Sequence, residues 1–539
     1  MKGWAGSVFI TYFFRLTINI IAAKIIYFWL FFYYILQKSY RCFGTKNEDL
    51  YRCFGTKNED LYRCFETKNE DLYRCFETFC IFAIQKIINN KNMFQRNGIE
   101  QLRRWASKKE RKPLVLRGAR QVGKTTLVNE FSKDFDTYLY LNLEIPQAFA
   151  LFETDKNIEE IITGIYLYCD KPMNQGKTLL FIDEIQNSCR AVMQLRYFYE
   201  KLPDLYVIAA GSLLENLIHS QISFPVGRVE YMAVRPCSFD EFLGAMGETE
   251  LRKAILETRI PENIHSKTIS LFHTFTLVGG MPEIVNFYAK YKDLVSLNDI
   301  YDTLLEGYRD DVRKYARNDT MAHVITYILE RGWQFAAQRI SLGNFAGSSY
   351  KSREMGEAFR TLEKAMLLEL SFPTLGCTPP IIPELKRKPK LFWIDTGIVN
   401  YVAKIQKEVF NVNDILDAWR GKVAEQIVAQ ELLSAEYRVS GKRDFWVRDA
   451  HGADAEIDFI IQVEGKIIPI EVKTGHNSKL KSLHIFMENS NQNIAVRVWS
   501  NPFSIDKIKT SSGKQFLLYN IPFYYVKMIQ KLISNIMFF

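Results

Sequence analysis

The segment Gly118-Ala119-Arg120-Gln121-Val122-Gly123-Lys124-Thr125 limits the fold of this chain more than any other. It follows the short apolar run Lys112–Leu116 and Arg117, and it leads into Thr126–Phe131, which reads as a helix. Pro113 stands at the start of the apolar run, where a strand tolerates proline. Glycines at this spacing, GxxxxGK[ST], let the backbone wrap so that successive N–H groups point at phosphate oxygens. The helix behind them turns its positive dipole end to the same anion. Gly118 through Thr126 are therefore expected to cradle the phosphates of a nucleotide. Lys124 is placed to reach the β- and γ-phosphates, and the Thr125 hydroxyl to ligate Mg²⁺.

Two later segments fit the same site. Thr178–Ile182 reads as a buried strand and ends in Asp183-Glu184. A carboxylate at that strand end can hold Mg²⁺ directly or through water, which is the role expected of Asp183. Glu184 is the candidate for polarising the attacking water. Leu205–Ala210 is a third strand, ending at Gly211-Ser212. Ser212 either sits near the γ-phosphate or caps the following helix, and both roles are compatible.

The order GARQVGKT, LLFIDEIQ, VIAAGS is similar to that of AAA+ ATPases. More narrowly, the chain resembles a prokaryotic AAA+ group with a C-terminal module of unknown function. Ser238–Leu243 (SFDEFL), Gly279–Val285 (GGMPEIV), Asp395–Gly397 (DTG) and Pro469–Gly475 (PIEVKTG) carry that narrower match, which covers about 93–500. The resemblance implies ATP and Mg²⁺ as cofactors. It also implies further copies of the chain as partners, with an arginine reaching a neighbour's ATP. Arg228, in Phe224–Arg228, falls in the interval for that arginine; a surface arginine in a salt bridge is the alternative.

Beyond 245 the chain reads as helices with polar faces. The run Arg309, Asp310, Asp311, Arg313 is expected to be a solvated or salt-bridged helix face. Residues 334–372 fit a helix-turn-helix or winged-helix unit. Lys351 and Arg353 are its candidate phosphate contacts, and protein packing is the alternative use. Arg420–Leu433 is an amphipathic helix carrying Glu425 and Glu431. Asp458 follows on a strand. After a turn at 464–466, Glu471 and Lys473 project from one face of the next strand. This set is similar to the core of PD-(D/E)xK nucleases. That likeness implies a second Mg²⁺ site at Asp458 and Glu471, completed by Glu425, with Lys473 activating water. Glu456-Ile457 stands where Pro-Asp is usual, and a module that keeps the fold without catalysis is the alternative.

At 539 residues, 47% of them apolar, the chain is long enough for several domains with real cores. Residues 1–92 hold 13 Lys and Arg against 8 Asp and Glu, leaving 57 against 53 for the rest. So near-neutral a body makes no global case for nucleic acid; DNA contact would need a local basic patch. No cysteine spacing signals zinc or a disulfide framework. Residues 18–36 are apolar enough to span a bilayer, and an 11-residue repeat (YRCFGTKNEDL) follows, nearly invariant even at polar positions. Such copies point to recent duplication, and translation is expected to begin at Met93.

The expected fold class is α/β, with a P-loop core on a parallel sheet. The expected domains are 1–92, an ATPase domain over 93–245, a winged-helix-like connector over 246–390, a nuclease-like module over 391–500, and a tail over 501–539. The expected function is Mg²⁺-dependent ATP hydrolysis driving a conformational switch. The alternative is a DNA-binding or nuclease effector regulated by the ATPase. The expected location is cytoplasmic, with membrane anchoring through 18–36 the alternative if residues 1–92 are part of the protein.

Overall fold

The computed structural model describes residues 94–173, 176–211, 225, 227–404, 421–449, 455–473 and 480–537. The apolar run 18–36, the repeats, Met93 and Ser212 lie outside the described residues. Among the described residues no helix is long and apolar enough to cross a membrane.

Five strands form the first sheet: β1 (Leu114–Arg117), β2 (Thr137–Asn142), β3 (Thr178–Asp183), β4 (Tyr206–Gly211) and β5 (Glu230–Ala233). Their order is β2-β3-β4-β1-β5, and every pairing is parallel. Parallel neighbours need crossovers. Helices α2 (Lys124–Phe131), α3 (Ile158–Tyr168) and α4 (Cys189–Lys201) lie in three of them, and α1 (Gly98–Ala106) precedes β1. Both sheet faces are covered, which is why the strands read as continuous apolar runs. Leu114, Leu116, Phe181 and Ile208 pack with α1 and α2; Val115, Leu180, Ile182 and Ala209 pack with α3 and α4. This is the α/β core expected from the sequence.

Helix α5 (Phe239–Ala245) follows β5, and the connector contributes α6 (His265–Val278), α7 (Pro282–Tyr291), α8 (Leu297–Asp310), α9 (Asp319–Arg331) and α10 (Ser352–Lys364). A small antiparallel sheet, ordered β6-β9-β7, packs with the last two helices. Its strands are β6 (Gln338–Arg339), β7 (Leu368–Ser371) and β9 (Lys390–Trp393). Helix α10 buries Met355, Ala358, Phe359 and Leu362, a spacing of three and four that defines one apolar stripe.

The third unit holds α11 (Thr396–Val402), α12 (Lys422–Ser434), α13 (Lys481–Asn489) and most of a seven-stranded sheet. In sequence the strands are β8 (Pro373–Thr374), β10 (Asp444–Val447), β11 (Glu456–Val463), β12 (Lys466–Val472), β13 (Ile494–Trp499), β14 (Ser504–Lys509) and β15 (Gln515–Pro522). In space they run β14-β15-β13-β12-β11-β10-β8. The β11–β12 hairpin turns at Glu464-Gly465, both at positive φ, as a tight hairpin requires.

Two expected boundaries shift. Strand β9 completes the connector's sheet, so the connector extends past residue 390. Residues 501–539 are not a tail: β14 and β15 belong to the large sheet, and α14 (Ile529–Met537) follows a 3-10 turn at Phe523–Met528. Ser504–Lys509 alternates half-buried and exposed positions, the pattern of an edge strand, so its lysines face outward. Phe516, Leu518, Tyr519 and Ile521 bury the next strand.

Candidate functional site

The glycines of the phosphate loop are required by space and by backbone angle. A Cβ on Gly118 would stand 2.3 Å from the Val234 carbonyl oxygen. Gly123, just before α2, has φ +86°, which favours glycine. Lys124 opens α2 and is buried; its amine donates to the carbonyls of Gly118 and Ala119, both at 2.9 Å. Burial pushes that amine down to about 8, against the opposing pull of Glu184 and Asp183. Arg120, Gln121 and Thr126 are exposed at the mouth, whereas Ala119 and Val122 are buried beneath it.

Strand β3 brings the carboxylates in. Thr125 Oγ1 donates to Asp183 Oδ2 at 2.7 Å. Burial raises the pKa of Asp183, and the Thr125 hydrogen bond works against it. Glu184 sits just past the strand end in the left-handed region, φ 51°. Its carboxylate accepts from the Gln186 amide. The hydroxyl of Thr125 and the carboxylate of Asp183 are hard oxygen donors side by side, and they suit Mg²⁺.

Arg228 is in an exposed ion pair with Glu200 at 2.8 Å. Arg196 holds the same carboxylate at 3.0 Å. Thus Lys124, Thr125, Asp183 and Glu184 are brought together, and Arg228 is engaged elsewhere.

Other residues grip the loop. Asp311, expected on a solvated or salt-bridged face, is buried; it pairs with loop residue Arg120 at 2.7 Å and with Lys314 at 2.9 Å. Arg96 donates to the Val122 carbonyl at 3.2 Å and to Glu241 at 3.1 Å. Neither Arg96 nor Gln186 stands out in the sequence, because each matters only through residues distant from it or through a local turn.

The segments SFDEFL, GGMPEIV and DTG meet in one buried network. The Gly280 N–H donates to Asp395 at 2.5 Å, and the Cys237 N–H donates to the Gly280 carbonyl at 2.6 Å. Ser238 and Glu241 close a capping box on α5, and the Phe239 N–H donates to Glu431 of α12 at 3.0 Å. Burial lifts the Asp395 carboxyl to about 6 and that of Glu431 to about 8.

A second cluster joins the connector to the large sheet. Lys390, at the start of β9, is buried and lies 2.6 Å from Glu456, 2.9 Å from Glu425 and 3.7 Å from Asp458. Glu471 pairs with Lys473 at 2.7 Å. Burial and the Asp458 charge raise the pKa of Glu425 and of Glu471, while burial pushes Lys390 down and the carboxylates more than reverse it. The candidate residues Glu425, Asp458, Glu471 and Lys473 do come together. Lys390, among them, had no signal in the sequence beyond being one of several lysines in Lys386–Lys390.

The profile of the AAA domain matches residues 110–243, so the first sheet and its loop are an AAA-type P-loop domain. A domain of unknown function (DUF8612) matches 269–409, and another (DUF4143) matches 420–511. No curated protein matches the chain. Among solved structures, a Walker-type ATPase of Pyrococcus abyssi is 15% identical, covering 58% of this chain and 97% of its own, at TM-score 0.39. The ORC1 protein of Aeropyrum pernix, solved with DNA, is 11% identical, covering 58% and 93%, at TM-score 0.23. PCH-2 of C. elegans is 12% identical, covering 38% of this chain and 65% of its own, at TM-score 0.25. The parallel strand order and the loop geometry, rather than these likenesses, define the fold.

Proposed function

We propose that the chain binds ATP with Mg²⁺ and hydrolyses it, and that the hydrolysis drives a conformational switch. The observation that carries this is the Lys124 amine, buried and held by nothing stronger than the loop's own carbonyls, beside Thr125 and Asp183. A phosphate offers that amine a better partner than a neutral carbonyl. Loop N–H groups and the α2 dipole add to the attraction. Mg²⁺, when bound by Thr125 and Asp183, neutralises phosphate charge. Glu184 orients a water for attack and takes its proton. Gln186 holds the Glu184 carboxylate. The switch is supported by the ties from the loop to Asp311 and, through Arg96, to Glu241. Those ties give the rest of the chain a stake in how the loop is filled.

The test is steady-state hydrolysis by the full chain with Mg²⁺ and ATP, beside binding of a fluorescent ATP analogue. Glu184→Gln is expected to bind the analogue normally and to lose about 100-fold in turnover. Equal turnover in Glu184→Gln and the unaltered chain would sink the assignment.

Contact with DNA is a second reading, favoured by one feature. Helices α9 and α10 with the β6-β9-β7 sheet resemble a winged helix, and Lys351, Arg353 and Arg360 are exposed along α10. Such a face is expected to bind duplex DNA with affinity that falls steeply with salt, and Arg353→Glu with Arg360→Glu to abolish it. Affinity unchanged by the pair would remove this reading.

A further inference from the structure

We propose that the Lys390 ammonium is the resident cation of the C-terminal acidic cluster, holding the place of a divalent metal and tying the connector's sheet to the large sheet. The Mg²⁺ expected at Asp458 and Glu471 from the sequence does not fit what surrounds them.

The donors are already committed. Lys390 spans Glu456 on β11, Glu425 on α12 and Asp458 on β11, so one amine joins β9 to two elements of the third unit. Its charge also stands over the Phe445 ring of β10, 5.0 Å from the centroid. The other Asp458 oxygen accepts the Val472 N–H at 2.8 Å. One Glu471 oxygen is held by Lys473. Mg²⁺ demands near-octahedral oxygen ligands and keeps several of its waters. It would have to enter beside an ammonium that is buried and fixed by its own strand. Among the described residues no group of three or more acidic, histidine or cysteine side chains is arranged to hold a metal ion, and the three carboxylates that do converge here converge on the Lys390 amine.

One atom shows the cluster's remaining capacity. Glu471 Oε2 is buried and has no hydrogen-bond partner, although its residue is only 4% exposed. Such an atom is costly to leave unpaired. Removing the Lys390 charge leaves Glu425, Glu456 and Asp458 without their cation near this unpartnered oxygen, and a divalent ion then becomes the natural replacement. The lysine is covalently part of the chain, so no chelator removes it.

The experiment uses the full chain carrying Asp183→Asn, without nucleotide, so that the nucleotide site contributes no metal. Free Mn²⁺ is read by electron paramagnetic resonance up to about 1 mM, the range of weak protein sites. The background chain is expected to bind no Mn²⁺. Lys390→Ala is expected to bind one equivalent, and Lys390→Ala with Glu471→Gln to lose it again. Thermal melting follows the same variants in EDTA and in Mn²⁺. Mn²⁺ is expected to raise the melting temperature of Lys390→Ala by about 5 °C and to leave the background chain unmoved. Two results overturn the proposal. One is Mn²⁺ uptake by the background chain that Glu471→Gln abolishes; the other is a folded Lys390→Ala that takes up none. If Lys390→Ala does not fold, melting of the background chain decides: no Mn²⁺ shift supports the proposal, and a shift removed by Glu471→Gln overturns it.

Discussion

Among the described residues two buried lysines sit beside carboxylates, and their circumstances are opposite. Lys124 is 7% exposed and Lys390 2%. Burial penalises both charges. Lys124 meets only backbone carbonyls at hydrogen-bond distance, and its amine falls to about 8. Lys390 meets carboxylates at 2.6 and 2.9 Å, and its pKa rises above the ordinary lysine value. A charge without a strong partner is available to an incoming anion. A charge with several is part of the frame. The difference teaches that a lysine next to acidic residues is a ligand-binding group or a structural one according to what its amine touches.

The largest expected effect is functional. Lys124→Ala should lower ATP turnover at least about 1000-fold, because the charge on the transferring phosphoryl group loses its main side-chain partner. Measured in parallel, Lys390→Met should leave turnover per folded molecule within about threefold; a loss as great as that of Lys124→Ala would break the comparison.

Stability should invert the ranking. Lys390→Met is expected to cost about 3–5 kcal/mol in urea unfolding, since it strands buried carboxylates. Lys124→Met should change stability by less than about 1.5 kcal/mol, in the stabilising direction, because it relieves a charge held only by neutral carbonyls. Equal costs for the two variants would show that both amines are structural.

The pH dependence sharpens the point. An unfolded lysine titrates near 10.5, whereas folded Lys124 titrates at about 8. Between those values the unfolded chain binds more protons, so this group makes stability rise with pH, by up to about 1.4 kcal/mol per unit. Lys390 is raised instead, so its contribution is complete below 10.5 and is lost only above it. Unfolding of the nucleotide-free chain between pH 8 and 10 should therefore show a rise that Lys124→Met flattens. An identical slope in both proteins would contradict the assignment.

The smallest effect concerns Arg228. Its partner Glu200 is also held by Arg196, and the pair is exposed, so Arg228→Ala should not shift the melting temperature measurably. Turnover is the informative readout. A loss that appears only at high chain concentration would favour the trans role implied by the AAA+ resemblance; no loss would leave a surface ion pair.

What was legible in the sequence follows from how local each feature is. The phosphate loop is written within fourteen consecutive residues, because its strand, turn and helix start are neighbours along the chain. Asp183-Glu184 was legible for the same reason, as the end of one apolar run. The Lys390 cluster joins β9 to Glu425 and Glu456, 35 and 66 positions later, and no local pattern marks it. Asp311 lies in a run whose charges suggested a solvated or salt-bridged face; it is salt-bridged, and what no local pattern marked is its burial and its distant partner, Arg120 of the loop. The strand over 504–509 carried no local signal: its two apolar residues, Ile505 and Ile508, stand three apart and so fall on opposite faces, and no period-two pattern marks it.

Lys527 pairs with Asp240 at 2.5 Å, and the Asp240 side chain is 1% exposed. A ribosome delivers the aspartate 287 residues before its lysine. Until Lys527 emerges, the Asp240 carboxylate has in its native place, among the described residues, the neutral donors Ser238 and Asn97 and one cation, Arg252 at 3.5 Å. A nascent chain therefore finishes its first domain last, and a gene truncated anywhere before this lysine encodes an ATPase core with an open seam.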